Sequence, residues 1–111
     1  MKDDRAYIEY ILYCINLIET YCQGGKEEFL NNVMAQDAIL RRLQTLAEST
    51  QRISDNLKRE NLDIDWRSIS GFRNILVHDY LGGIDLDIIW QIVITYLPDL
   101  KLKLEKILKN M

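Results

Sequence analysis

Apolar side chains recur at every third or fourth position through nearly all of this chain, and that spacing most limits what it can fold into. Ile8, Ile11, Leu12, Ile15, Ile18 and Cys22 predict a first amphipathic helix, opened by Asp3 or Asp4 as N-cap and stopped by Gly24-Gly25. Glu19 interrupts that stripe, so its carboxylate needs a partner or an edge position. Leu17 lies on the far side and points to a second contact. Tyr7, Tyr10, Tyr13 and Tyr21 are spread around the same helix. A short helix over roughly 26–31 should lay Phe29 and Leu30 over the core as a lid. Ile39, Leu43, Leu46, Ala47, Thr50, Ile53 and Leu57 then predict one long helix over about 33–58. Another runs from Asp65 to about Leu81, where Gly82-Gly83 ends it. The last starts near Asp85 or Leu86 and lines up Ile89, Trp90, Val93, Leu97, Leu100, Leu104, Ile107 and Leu108. Pro98 falls inside it and predicts a kink or break near Tyr96-Leu97.

One proline and five glycines leave little turn chemistry, which argues against a many-stranded β fold. The expected fold is all-α: an antiparallel up-and-down bundle of four to five helices in one domain, residues 1–111. A chain that is 48% hydrophobic and 28% charged reads as an ordinary soluble globular protein. No apolar run approaches the ~20 residues needed to span a bilayer. The charged start, Met1-Lys2-Asp3-Asp4-Arg5, lacks the apolar segment of a secretory signal, so a cytoplasmic location is expected.

Cys14 and Cys22 fall in one helix, ~12 Å apart at 1.5 Å per residue, too far for a disulfide; buried thiols are expected. No metal-ligand spacing occurs, and the single histidine cannot complete a zinc site with these cysteines, so neither metal nor cofactor is expected. The formal net charge is −3 and the pI about 5.1. Such a chain does not coat DNA, so any nucleic-acid role must come from a local site. Arg41, Arg42, Arg52, Lys58 and Arg59 form a solvated face that is also the basic surface open to RNA.

The segment from Trp66 to Tyr80 concentrates the polar chemistry. At ~100° per residue it sorts Ile69, Phe72, Leu76, Ile75 and Tyr80 to a core-facing side, and Arg67, Ser70, Asn74 and His78 to the other. Gly71 and Arg73 lie at the edges. The second face lacks the Glu and Lys of a normal exposed surface. Its small residues, Ser70 and Gly71, would let another backbone or a ligand come close.

At Arg73-Asn74-Ile75-Leu76-Val77-His78-Asp79-Tyr80 the sequence resembles the HepT-like toxins of the HEPN superfamily. Their hallmark is Arg, four residues, His, one residue, Tyr, and Arg73, His78 and Tyr80 meet that spacing. The polar residue after the arginine, Asn74, also matches. The entry Asp65-Trp66-Arg67-Ser68-Ile69-Ser70-Gly71-Phe72 and the run from Ile84 to Pro98 look like the family's flanking segments. Leu46-Ala47-Glu48-Ser49 is only partly like the Gly-Glu-Ala often found there, which leaves Glu48 without an assigned role.

The resemblance implies a bundle with two long antiparallel helices, assembled as a homodimer. The motifs of two subunits meet in a cleft and make a metal-independent endoribonuclease that cuts RNA. It also implies a partner, an MntA-type minimal nucleotidyltransferase antitoxin, which in some pairs silences the toxin by AMPylation of the motif tyrosine. By position that acceptor is Tyr80. Arg73 suits an electrostatic clamp, because guanidinium matches phosphate oxygens with paired donors. His78 suits an acid or base, since imidazole changes charge near neutral pH. Asn74, Arg67 and Ser70 would orient substrate. One subunit offers one histidine, so shared acid and base work requires a twofold dimer. The alternative is a non-catalytic HEPN subunit that docks and regulates a nucleotidyltransferase.

Overall fold

Asp3 opens the first helix as its side chain accepts from the Ala6 N–H at 3.3 Å. The computed structural model describes residues 3–78 and 83–111. Seven α-helices occur among them: α1 (Asp4–Tyr21), α2 (Gly25–Asn31), α3 (Val33–Arg52), α4 (Asp55–Glu60), α5 (Trp66–His78), α6 (Leu86–Gln91) and α7 (Leu97–Lys109). A π-helical turn, Ile92–Tyr96, joins the last two. Gly25 turns the chain out of α1 at φ +87°, a left-handed conformation that glycine adopts without strain.

The long helices pack antiparallel. Along α1, Asp4 meets Ser54, Tyr7 meets Ser49 and Cys14 meets Thr45, so one number rises as the other falls. The same holds for α3 against α5, where Leu43 and Leu46 line a cleft with Ile69 and Phe72, and Leu40 and Gln44 line one with Leu76 and Val77. The final helical rod returns along α1, and Lys101 Nζ reaches Glu19 at 2.8 Å. That ion pair supplies the partner Glu19 needed. Leu17 is half-buried.

Ile8, Ile11, Ile15 and Ile18 of α1 close on Ile39, Leu43 and Leu46 of α3, with Ile89, Leu100 and Leu104 completing one core. Phe29 of α2 is buried and its ring centre lies 5.4 Å from that of Trp90, so α2 is a lid. Leu30 does not share that role: it is 38% exposed. Both cysteines are free, Cys14 buried and Cys22 half-buried, and burial pushes the Cys22 thiol up to about 11.

The helix expected over 33–58 is broken in two. Ile53 and Ser54 adopt extended backbone at ψ 142° and 150°. Asp4 causes the break by competing for Ser54: its Oδ1 accepts from the Ser54 N–H at 2.8 Å and its Oδ2 from the Ser54 hydroxyl at 2.6 Å. Ser54 Oγ in turn caps α4 by accepting from the Leu57 N–H at 3.2 Å. Local periodicity carries through this point, because Ile53 stays buried and Leu57 half-buried.

Pro98 does not break the last helix. It sits in the first turn of α7, and backbone at Gln91, Tyr96 and Leu97 stays right-handed helical. A proline has no N–H for the carbonyl four residues back and its ring collides with it. The wide turn over Ile92–Tyr96, with i→i+5 spacing, takes up that conflict. No helix among the described residues is long and apolar enough to cross a membrane.

Candidate functional site

The motif helix is anchored at its start. The Asp65 carboxylate accepts from the Ser68 N–H at 3.0 Å and from the Ser68 hydroxyl at 2.7 Å. These bonds hold its pKa below the usual carboxylate value. The Trp66 indole N–H donates to the Asn61 carbonyl at 3.1 Å, and its ring is buried. From there Ile69 and Leu76 face the core and Phe72 packs at its edge.

This buried arc is narrower than the sequence suggests. Ile75, expected on the core side, is 49% exposed. It lies ~120° round the helix from Ile69, beyond the reach of α3. Arg73, only ~40° from Ile69, closes the other edge instead.

Arg73 therefore leans onto α3 rather than into solvent. Its Nη2 donates to Glu48 Oε2 at 3.1 Å, and Nη1 reaches Asn74 Oδ1 at 3.5 Å. Its Nε is buried and bonded to nothing. Glu48 is thus the residue that sequence reasoning left without a role. The available signal was an arginine beside an apolar stripe, since a half-buried cation calls for a carboxylate on the facing helix.

Arg67, Asn74 and His78 stand exposed, and Ser70 is half-buried. Their shared face is as expected, but one chain does not converge Arg73 and His78. They are separated by ~140° and ~7.5 Å of axial rise on a regular helix. A Cβ added to Gly71 would meet nothing within 4 Å, so the close approach its size suggests is not made by this chain itself. Tyr80, the expected modification site, lies outside the described residues.

Two hollows flank α5. An apolar cleft of about 180 Å³ lies between Leu43, Leu46, Ile69, Phe72, Tyr96 and Leu97. Burial raises the Tyr96 phenol there, with the Asp65 and Asp99 charges adding to the effect. On the α3 side, Leu76 and Val77 face Asp37, Arg41 and Gln44 across a hollow of about 380 Å³. Among the described residues no group of three His, Cys, Asp or Glu side chains is placed to hold a metal ion.

Comparison with known proteins agrees with the family resemblance. Residues 11–107 match the family described as "Ribonuclease HepT-like". The chain is 33% identical over 109 residues to "Probable ribonuclease HepT" of Thermococcus cleftensis, covering 97% of this chain and 98% of that one. It is 32% identical over 105 residues to "Putative RNase MJ1380" of Methanocaldococcus jannaschii, covering 94% and 95%. A longer protein of that organism, "Gamma-glutamylcyclotransferase and putative RNase MJ0434", is 31% identical over 111 residues, and this chain spans 50% of it. No solved structure matches the chain.

Proposed function

Because this chain belongs to the HepT-like ribonuclease family, we propose that it is the toxin of a toxin–antitoxin pair, an endoribonuclease that cuts RNA without a metal. Two copies meet along α5 so that Arg73 and His78 of each line one phosphate-sized opening. One His78 takes the proton of the 2′-hydroxyl as that oxygen attacks phosphorus. The His78 of the second copy gives a proton to the departing 5′-oxygen. The products are a 2′,3′-cyclic phosphate and a 5′-hydroxyl, and Arg73 holds the phosphate oxygens as charge builds. Asn74, Arg67 and Ser70 orient the strand.

One observation carries this reading: a single helix fixes Arg73 against Glu48 while leaving Asn74 and His78 open to solvent around an uncovered Gly71. A fixed cation and an open imidazole carried on one helix suit phosphoryl chemistry, once a second copy brings them together, more than they suit a structural surface. An MntA-type nucleotidyltransferase then acts as antitoxin by transferring AMP to Tyr80, which adds a negative phosphodiester to the motif.

The test is cleavage of labelled RNA by the purified protein in chelator, with end-group analysis and sedimentation. Arg73→Ala and His78→Ala should abolish cutting and leave helicity and dimer mass unchanged. Wild-type rates in both variants would remove this site. The Glu48 ion pair favours a second reading, since it partly neutralises Arg73: a non-catalytic subunit that docks the nucleotidyltransferase. That alternative requires tight complex formation and no cleavage by the wild-type chain.

A further inference from the structure

The outer face of α1 and α3 carries a feature that the motif does not use. Tyr10 and Tyr13 are 36% and 52% exposed, and their ring centres lie 6.1 Å apart. The Arg42 guanidinium sits 5.7 Å from the Tyr13 ring centre, and its Nη1 reaches the Tyr10 hydroxyl at 3.4 Å. Tyr10 also borders a groove of about 420 Å³ lined with Tyr7, Thr45, Glu48, Ser49 and Arg52.

We propose that this groove and its tyrosine pair form a second contact for single-stranded RNA, with a base stacked on Tyr10–Tyr13 and phosphates held by Arg42 and Arg52. The assignment rests on the ribonuclease reading and extends the same site. Three observations favour RNA as the occupant. An exposed aromatic pair with a guanidinium already laid against it is a stacking platform that any base can use. The charge is locally complementary despite the acidic chain. Arg42 and Arg52 have no carboxylate partner among the described residues, whereas Glu48, the acid in the groove, is offset by Arg73. Glu9 lies one turn before Tyr13 on α1 but is not among the residues lining the groove.

The third observation is continuity. Glu48 lines the groove and bonds Arg73 of α5, so the groove and the proposed cleavage site share one residue. From Arg42 to Glu48 the rise along α3 is ~9 Å, roughly one to two nucleotides of an extended strand. A strand cut at Arg73 would leave its neighbouring base on the tyrosines.

The experiment compares a single-stranded RNA 12-mer with a dinucleotide, using the full chain. Tyr13→Leu should raise KM and the dissociation constant for the 12-mer about tenfold, with kcat for both substrates unchanged. Tyr13→Phe should restore wild-type values, because it keeps the π-face. Arg42→Gln and Arg52→Gln should each reduce the slope of log affinity against log salt by ~0.7. Circular dichroism checks folding of each variant, and Arg42→Gln carries the test if Tyr13→Leu is misfolded.

Wild-type affinity and KM in Tyr13→Leu and Arg42→Gln would overturn the groove alone, provided His78→Ala still abolishes cutting. If the wild-type chain neither binds nor cuts the 12-mer, both the groove and the ribonuclease reading fall. Dissociation of the dimer by Tyr13→Leu would instead make this face a contact between copies, and would also overturn the proposal.

Discussion

Replacing Glu48 probes the site where packing and proposed chemistry meet. Two unit charges 3.1 Å apart attract by about 5 kcal/mol at an effective dielectric near 20. The Arg73 and Glu48 side chains are 28% and 35% exposed, so screening and side-chain ordering offset most of this. A net coupling of about 0.5–1 kcal/mol remains. A double-mutant cycle over Glu48→Gln and Arg73→Gln, read by urea unfolding, should return that value. The accompanying drop in Tm for Glu48→Gln should be about 2–5 °C. The two substitutions at Glu48 should then separate orientation from charge. Gln keeps an acceptor for Nη2 at the same reach, whereas Ala leaves Arg73 with only the 3.5 Å contact to Asn74. RNA cleavage by Glu48→Ala should fall by about tenfold or more, with Glu48→Gln retaining most of it, since small misplacement of a charged clamp is costly. Additivity within ~0.3 kcal/mol, with full cleavage by Glu48→Ala, would refute the claim that Glu48 positions Arg73.

Other outcomes follow from the helix ends and the packing. Asp4→Ala should cost about 1–2 kcal/mol in chemical unfolding, because two donors of Ser54 lose a charged acceptor; a change below ~0.3 kcal/mol would refute the clamp. The Asp65 pKa is depressed in the folded chain, so its contribution is full above the ordinary carboxylate range and is lost as pH falls through the lowered value. The stability gap between wild type and Asp65→Asn should therefore be constant near neutral pH and close in acid, and a gap that widens in acid would reverse the sign. Ile69→Ala should destabilise by about 2–4 kcal/mol, whereas Ile75→Ala should stay within ~0.5 kcal/mol in the monomer. Equal losses at the two positions would contradict the narrow buried arc.

The helices were legible because each buries one stripe, and a stripe leaves a period in the sequence. Ile8 to Ile18, Ile39 to Ile53 and Ile89 to Leu104 all fall where that period puts them. The demand of Glu19 for a partner was also legible, although the identity of Lys101 depended on how α7 packs. The break at Ser54 was not readable, because its cause is Asp4, fifty positions away and brought near only by the pairing of α1 with α3. Pro98 announced an irregularity but not its form. A wide turn upstream keeps the rod continuous where a break was equally open.

At the candidate site, spacing selected Arg73 and His78 but could not say where each side chain would lean. Ile75 was misplaced because a helix against one neighbour buries less than half its circumference. Among the described positions Ile69, Phe72 and Leu76 fill the available contact and Ile75 is left outside it. Glu48 was missed for the complementary reason. Its importance comes from a residue on another helix, and no local pattern records that.

The pairing of α1 with α3 also bears on the order in which a nascent chain acquires its shape. The ties between Asp4 and Ser54, Tyr7 and Ser49, and Cys14 and Thr45 all lie within the first half of the sequence. That hairpin can close while the segment from Trp66 onward is still being synthesised, since chains are made from the amino end. Arg73 then lands on a Glu48 already in place. A growing polypeptide on the ribosome, surrounded by RNA, would hold back the helix proposed to cut until the scaffold beneath it is complete.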